Sequence, residues 1–213
     1  MPGPTRELAP RGAPSRRRTV NSATPAGPVD GHERTRDYLT EDEFRALVES
    51  TKRSRYRWRN TAMLLLMFYH GLRASEVCHL RRRDVDLHHG RIWIPRVKGS
   101  LSTEQPLLSE ELRALKRYLA QRGPSHLPWL FLTERGEPYT RFGINYLVRT
   151  AGERAGLAMP VHPHMLRHGC GHALANRGYD LRLIQDYLGH RDPKHTTRYT
   201  RTAAHRFENL WSS

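Results

Sequence analysis

The chain has 213 residues, and its 36 lysines and arginines against 21 aspartates and glutamates give it a net charge of +15. This length predicts one domain, and the charge attracts polyanions, which favours a nucleic-acid partner over a merely basic surface. Two cysteines and the lack of an apolar run of about 18–20 residues argue against a secreted disulfide framework or a membrane protein. The expected location is the cytoplasm, at the bacterial nucleoid.

Residues 1–36 are rich in proline, glycine and serine and contain seven arginines against three acidic residues. Such a segment buries too little apolar surface to offset the entropy of ordering, so we expect a disordered basic tail. Residues 37–213 are expected to form the folded domain, which ends in a helix at about 203–211.

Ordered structure is predicted to start at Leu39. Thr40, with Glu43 three residues later, forms a capping box at the start of the first helix. The second helix, roughly Trp58 to His70, is apolar nearly all round and should be central in the core. Gly71 is expected to be its left-handed cap.

The remaining elements include one small sheet. Alternation with period two predicts a strand from Arg91 to Val97, which turns at Gly99 into a second strand from Ser102 to Leu107. Ser109 is predicted to cap the helix that follows the sheet. The other predicted elements are helices at residues 74–80, 109–119, 140–154, 164–177, 181–188 and 195–201, and a short strand at 129–132. The predicted fold class is mainly α with a small antiparallel β-sheet.

The first turn of the helix at His164 has the features of an anion site. His164 and Arg167 are three residues apart and therefore share a helix face. Pro163 suits the start of a helix, where the positive end of the helix dipole also favours an anion. Arg167 can hold two phosphate oxygens in one planar geometry.

A second arginine, Arg73, follows Gly71 at the junction between two helices, where it can reach into a cleft. Glu76, three residues later, could orient it from behind or be a surface charge. Either arginine alone is more typical of a structural salt bridge. Together they would provide the fixed donors that a pentavalent phosphorane needs.

Two further candidates lie near the end of the chain. His190 follows Gly189 at the end of a short helix and, taken alone, is more typical of a cap or loop residue. Tyr199 lies among polar neighbours, so the sequence does not mark it as an obvious core aromatic. Two arginines, two histidines and a tyrosine are the groups needed to hold a phosphodiester and attack it with a phenol.

These segments resemble the catalytic domain of the tyrosine recombinase (phage integrase) family. The resemblance rests on Gly-Leu-Arg-Ala-Ser-Glu at 71–76, His-Met-Leu-Arg-His at 164–168, Leu-Gly-His at 188–190 and Tyr199. It covers residues 38–200 and implies the tyrosine recombinase catalytic-domain fold. Within the family the chain most resembles the short fimbrial phase-variation invertases, through residues 101–103, 106–108, 163–168, 173–176 and 184–191.

The resemblance implies a role for each candidate. Tyr199 would attack the scissile phosphate and form a 3′-phosphotyrosyl bond, which conserves the bond energy and requires no ATP, metal or other cofactor. Arg73 and Arg167 would clamp the non-bridging oxygens. His164 would assist proton transfer with the tyrosine hydroxyl, and His190 would hydrogen-bond the phosphate.

Lys98, in the predicted hairpin, would be the general acid that protonates the leaving 5′-oxygen, because a lowered amine pKa suits this task. Glu76 would support Arg73. The remaining expected DNA-binding residues are Arg81, Arg82, Arg83, His168 and Arg198.

Gly169 and Gly171 lie early in the helix that starts near His164, and each costs up to about 1 kcal/mol relative to alanine in a helix interior. Close packing of the backbone or its approach to DNA would each account for them.

Other readings stay open. His164, His168 and His172 recur at i, i+4 and i+8, but the pattern lacks the HExxH form and a cysteine or carboxylate ligand, so we expect no metal. A transcriptional regulator that binds DNA without cleaving it would explain the charge equally well. A type IB topoisomerase-like enzyme would use much the same chemistry.

The resemblance also implies partners. These are double-stranded DNA with inverted or direct repeat sites and a homotetramer of the chain on that DNA, with no membrane partner. An accessory DNA-bending protein would suit so short a recombinase, which would invert or otherwise rearrange a DNA segment. The helix at 203–211 has an apolar stripe that would pack on its own domain or on a neighbour.

Overall fold

Helices account for most of the computed structural model, which describes residues 36–96 and 100–201 together with Gly3. Two 3₁₀ turns, Thr51–Arg53 and Arg82–Asp84, join longer elements. The helices are α1 (Glu41–Ser50), α2 (Arg57–Tyr69), α3 (Ala74–His79), α4 (Ser109–Arg122), α5 (Arg141–Arg154), α6 (Pro163–Asn176), α7 (Leu181–Leu188) and α8 (Lys194–Arg201). The strands β1 (Val85–Asp86), β2 (Arg91–Ile94) and β3 (Thr103–Pro106) form an antiparallel sheet in the order β1-β2-β3. The predicted fold class is confirmed.

Parts of the prediction fall outside this range. The disordered tail expected at 1–36, apart from Gly3 and Arg36, and the helix expected at 203–211 lie outside the described residues. From Arg36 onward the described residues belong to one compact unit.

Helix α1 begins with the predicted capping box. The Thr40 side-chain oxygen accepts from the Glu43 amide at 3.2 Å, and the Thr40 amide donates to a Glu43 carboxylate oxygen at 2.9 Å. Just before the cap, the Leu39 amide donates to the Met165 carbonyl at 3.3 Å. The segment that leads into α1 is therefore tied to α6.

Helix α2 is central in the core, as predicted. Its residues from Ala62 to Phe68 are all buried, and it packs against α4 and α6. Gly71 follows with φ +58°, the left-handed conformation expected of a cap. The chain can therefore turn sharply at this point and place Arg73 at the start of α3.

The strands of the sheet differ from the prediction in length and number. Strand β2 ends at Ile94, three residues early, because Pro95 has no N–H to extend the ladder. The two-residue strand β1, which pairs Val85 with Ile92, was not predicted. The strand predicted at 129–132 is wrong: Trp129 and Leu132 each make only an isolated bridge.

Helix α4 also differs at both ends. Ser109 was predicted as its cap, but the capping residue is Leu108, whose amide donates to the Glu111 carboxylate at 2.8 Å. The helix continues to Arg122 and ends only where Gly123 takes a φ of +70°.

The two glycines of α6 are explained by close packing. A Cβ on Gly169 would lie 2.7 Å from the Leu39 carbonyl oxygen and from the Phe68 ring, and one on Gly171 would lie 2.6 Å from the Tyr199 ring. Real side chains essentially never approach so closely, so α6 needs glycine at both positions to accept its neighbours.

Within residues 36–96 and 100–201, no helix is long and apolar enough to cross a membrane. The same residues contain no group of three or more histidines, cysteines or carboxylates placed to hold a metal ion.

Candidate active site

Arg73 is the residue just before α3, and Glu76 fixes it twice. Its amide donates to one Glu76 carboxylate oxygen and its guanidinium to the other, both at 2.8 Å. The Arg73 side chain is 26% exposed, whereas that of Glu76 is only 1% exposed. The buried carboxylate therefore orients an arginine whose far side still faces solvent.

Arg167 approaches the same carboxylate from α6. Its guanidinium lies 3.9 Å from a Glu76 oxygen and donates to the carbonyls of Gly71 and, at 2.8 Å, Leu188. Burial, and then the guanidinium groups of Arg73 and Arg96, lower the pKa of Arg167 to about 10. Arg167 is still a cation near neutral pH, and its side chain is fixed by backbone carbonyls.

A third arginine, Arg96, was missed by the sequence analysis. It donates to Glu76 at 2.9 Å and to the carbonyls of His70 and Tyr187, each at 2.9 Å, and its side chain is fully buried. The signal was present in the strand: Arg96 continues the inward-facing positions of Ile92 and Ile94.

Glu76 is thus the common counterion of three guanidinium groups. Burial alone would raise the pKa of Glu76, but Arg96, the Arg73 amide, Arg167 and the Arg73 guanidinium together hold it below its ordinary value. One negative charge against three positive ones leaves this cluster with a net positive charge.

His190 follows α7, where Gly189 takes the left-handed conformation with φ +69°. Its Nδ1 lies 2.8 Å from the hydroxyl oxygen of Thr196, a fully buried residue that the sequence analysis did not single out. Burial, and then the nearby Arg167 and Arg73, lower the pKa of His190 to about 3. The imidazole is therefore neutral at physiological pH.

His164 lies in the first turn of α6 and is exposed. Burial of part of its ring, and then the charges of His162, Arg167 and Arg73, lower its pKa. Its ring centroid lies 6.2 Å from that of His168, one turn further along the helix.

Tyr199 is buried, at 1% exposure, although its polar neighbours in the sequence did not mark it as a core aromatic. It lies on α8 and packs in a small cluster with Cys170, Ile184 and Leu188. The burial comes from the packing of α8 against α6 and α7, two separate elements of the chain. The Tyr199 hydroxyl lies 3.0 Å from Nδ1 of His168.

Three histidine rings, those of His168, His172 and His190, lie near this phenol. The ring of His172 meets that of Tyr199 edge to face at 5.3 Å, and the His190 ring lies 6.3 Å away in a stacked orientation. His168 was expected to contact DNA, and the structure places it against the candidate nucleophile. Its DNA-binding role stays a prediction.

The basic segment 81–83 borders a groove beside the sheet. Arg81 stacks over the Trp129 ring at 5.6 Å, and Arg81 and Arg83 line this groove together with Trp93. The Arg82 guanidinium instead donates to the Val85 carbonyl at 3.0 Å.

Two predicted site residues cannot be placed. Lys98 lies outside the described residues, as does the side chain of Arg198, whose backbone lies in α8. The first residues after the gap lie near the site: the Arg73 guanidinium donates to the Ser100 hydroxyl at 3.4 Å, and the Leu101 amide donates to the carbonyl of Gly189, the residue before His190, at 3.4 Å.

The sequence pattern of the phage integrase family matches residues 37–206, which is most of the chain. The chain therefore belongs to the phage integrase family and is a tyrosine recombinase. The type 1 fimbriae regulatory protein FimB of Escherichia coli (strain K12) is 45% identical over 179 residues, which cover 83% of this chain and 90% of that protein. The predicted similarity to the fimbrial group is thus confirmed.

Comparison with solved structures also places the chain among the recombinases. XerA recombinase superimposes with a TM-score of 0.72 at 31% identity, covering 80% of this chain and 63% of that one. XerH site-specific recombinase, bound to a palindromic difH substrate in a post-cleavage complex, has a TM-score of 0.71 at 26% identity, covering 84% of this chain and 54% of that one. The chain thus spans under two thirds of the length of these recombinases.

Proposed function

We propose that this chain cleaves and rejoins double-stranded DNA at specific sites through a 3′-phosphotyrosyl intermediate, and so rearranges a DNA segment. The observation that carries the proposal is the convergence of Arg73, Arg167, His190 and Tyr199 from four separated parts of the chain around one buried carboxylate and its neighbours. A protein that only binds DNA has no need of that convergence.

DNA is the proposed substrate for two reasons. The net charge of +15 favours a polyanion, and XerH, a structural neighbour, was solved on DNA. The groove lined by Arg81 and Arg83 suits contacts with the phosphate backbone, which position a protein on the duplex without reading its sequence.

The cationic cluster would bind the scissile phosphate. Arg73, oriented by Glu76 and open to solvent on one side, and Arg167, fixed by carbonyls, would donate to the non-bridging oxygens. Because both are held before substrate arrives, little reorganisation is needed as charge develops in the transition state.

His190 would add a neutral donor. A Thr196 hydroxyl that donates to Nδ1 requires the ring proton to be on Nε2, which can then donate to a phosphate oxygen. The low pKa of His190 keeps the ring in this form across the physiological range.

Tyr199 would be the nucleophile and Lys98 the general acid. The Tyr199 oxygen would bond to phosphorus while the bond from phosphorus to the 5′-oxygen breaks, and the Lys98 ammonium would supply the proton that the 5′-oxygen takes up. The role of Lys98 is supported by its place in the sequence, two residues before Ser100, whose hydroxyl accepts from the Arg73 guanidinium.

Exchange between two duplexes breaks four strands, and each nucleophile cleaves one. We therefore propose a homotetramer on DNA with repeated sites, assisted by a DNA-bending protein. Reaction on chromosomal DNA would place the protein in the cytoplasm.

The test uses a nicked suicide duplex that carries repeats from the chromosomal neighbourhood of the gene, incubated in EDTA. Wild type should form a denaturation-resistant protein–DNA adduct, and Tyr199→Phe should not. Tyr146→Phe, which alters an exposed tyrosine on α5, is the matched control and should react like wild type.

Good binding by all three proteins without any adduct would contradict the proposal and point to a non-cleaving regulator. An adduct followed by relaxation of supercoils without recombinant junctions would point to a topoisomerase-like enzyme.

A further inference from the structure

Asp37, His168 and Tyr199 are neighbours in space, with the His168 ring between the carboxylate and the phenol. Nδ1 of His168 is 3.0 Å from the Tyr199 hydroxyl oxygen, and Nε2 of the same ring is 3.5 Å from an Asp37 carboxylate oxygen. A nucleophile within hydrogen-bond reach of a base that a third group orients is the arrangement used to activate weak nucleophiles. The phenol is such a nucleophile, because its ordinary pKa is about 10.

The position of Asp37 is fixed by its neighbours. Tyr38 stacks on His172 with ring centroids 3.8 Å apart, and the Leu39 amide donates to the Met165 carbonyl. The segment 37–39 is therefore bound to α6, the helix that carries His168. The other Asp37 oxygen lies 3.3 Å from His162, so the carboxylate lies between two imidazoles.

His164, to which the family resemblance assigns proton transfer, is less suited to accept a proton. Burial and then the positive charges of His162, Arg167 and Arg73 lower the pKa of His164, and the opposing effect of Asp37 is the smallest of these influences. A proton on His168 would instead lie beside the Asp37 carboxylate. The charged form of His168 therefore has a counterion in place.

The geometry points to His168 as the catalytic base that accepts the Tyr199 proton, with Asp37 as the residue that positions it; this inference rests on the proposed function. As the phenol oxygen bonds to phosphorus, its proton passes to Nδ1 of His168. The bond from phosphorus to the 5′-oxygen breaks, and the leaving oxygen takes its proton from the separate general acid. In rejoining, the 5′-hydroxyl bonds to phosphorus and returns its proton to the general acid, while the bond from phosphorus to the tyrosine oxygen breaks and His168 returns the proton to the phenol.

The first measurement is the single-turnover rate of adduct formation on the suicide duplex. With the duplex saturated by protein, so that a change in DNA affinity does not contribute, His168→Gln should slow it by about 100-fold or more, within the range of general base catalysis. Asp37→Asn should slow it about two- to fivefold, because a half-exposed ion pair contributes modestly. His172→Gln is the structural comparator: it removes the ring contacts with Tyr199 and Tyr38 and leaves the hydrogen bond between His168 and Tyr199, so any loss beyond that of Asp37→Asn reports packing.

The second measurement separates a base from a packing residue. Site-specific 3,5-difluorotyrosine at position 199 has a more acidic hydroxyl and depends less on a base. It should recover most of the rate lost in His168→Gln, and it should leave any loss in His172→Gln unchanged. A duplex with a 5′-bridging phosphorothiolate, whose leaving group needs no acid, should leave the defect of His168→Gln in place.

The outcomes are distinguishable. No adduct from wild type on any duplex overturns the proposed function and this inference with it. An adduct that wild type and His168→Gln form at the same rate overturns this inference alone. So does a slow His168→Gln that the acidified phenol fails to restore, because His168 would then act only through packing.

Discussion

Replacing Glu76 by glutamine keeps the shape of the side chain and removes its charge. In the folded protein this leaves Arg73, Arg96 and Arg167 facing one another without the carboxylate that two of them contact at 2.8–2.9 Å and the third at 3.9 Å. The amide oxygen can still accept hydrogen bonds at one of the two positions, whereas the NH2 group replaces the other acceptor, so the substitution removes the charge together with one acceptor.

The expected cost follows from burial. Glu76 and the Arg96 side chain are at most 1% exposed, and breaking a buried ion pair from one side costs about 3–5 kcal/mol. The matched control is Glu104→Gln, which breaks the pair with Arg91 at 3.4 Å, where both side chains are more than half exposed. Such a surface pair contributes about 0–1 kcal/mol.

The assay is urea unfolding at pH 7, followed by circular dichroism, with the free energy extrapolated to zero urea. The pH dependence gives a second measure. Because the folded-state pKa of Glu76 lies below its ordinary value of 4.5, its stabilisation is complete above that pH and is lost as pH falls through the folded-state pKa. The stability gap between wild type and Glu76→Gln should therefore narrow below about pH 4.5.

Two results would refute this reasoning. The first is a loss in Glu76→Gln no larger than that in Glu104→Gln. The second is a stability gap that stays constant as the pH is lowered, which would mean that the carboxylate charge is not what stabilises the cluster.

Three further predictions concern the phenol, the neutral imidazole and the exposed arginine. Gly171→Ala should lower the free energy of unfolding by about 1–3 kcal/mol through overpacking and should displace the Tyr199 ring. Tetranitromethane should then nitrate Tyr199 faster than in Gly169→Ala, where the added methyl group meets Leu39 and Phe68 and not Tyr199. Equal nitration rates in the two variants would contradict this. His190 has a folded-state pKa of about 3 against 6.5 when unfolded, so its contribution to stability is lost as pH falls below about 6.5, by at most about 1.4 kcal/mol per pH unit. In urea titrations, the free energy of unfolding of His190→Gln should therefore fall less between pH 7 and pH 5 than that of wild type. Parallel plots of the two free energies against pH would rule the effect out. Arg73→Lys keeps the charge without the planar pair of donors, so adduct formation should fall roughly 100-fold while gel-shift affinity changes little; a wild-type rate would exclude a specific role for the guanidinium.

Features that depend on a few neighbouring residues could be predicted from the sequence. The capping box of Thr40 and Glu43 and the left-handed Gly71 are local, because each is set by residues within one helical turn. The identity of five candidate site residues followed from short motifs, and the structure brings Arg73, Arg167, His190 and Tyr199 together.

Features that depend on distant segments could not be predicted. Whether Tyr199 is buried depends on how α8 packs on α6 and α7, and the polar residues beside it in the sequence do not reveal this. The partners Asp37 and Thr196 become visible only when the segment before α1 meets α6 and when α8 folds back on the end of α7. The two-residue strand β1 is too short to leave a periodic pattern.

The charge balance of the site connects its stability to its chemistry. Three buried or half-buried guanidinium groups share one carboxylate, and His190 beside them stays neutral, so the cluster carries unbalanced positive charge in the absence of DNA. A second buried carboxylate would reduce this positive charge further, but it would also repel a phosphate. Glu76 therefore compensates enough charge for the arginines to pack in the core and leaves the rest for the phosphate. The pKa of Arg167, lowered mainly by burial but only to about 10, is consistent with this balance, because the group is destabilised yet still charged when the substrate arrives.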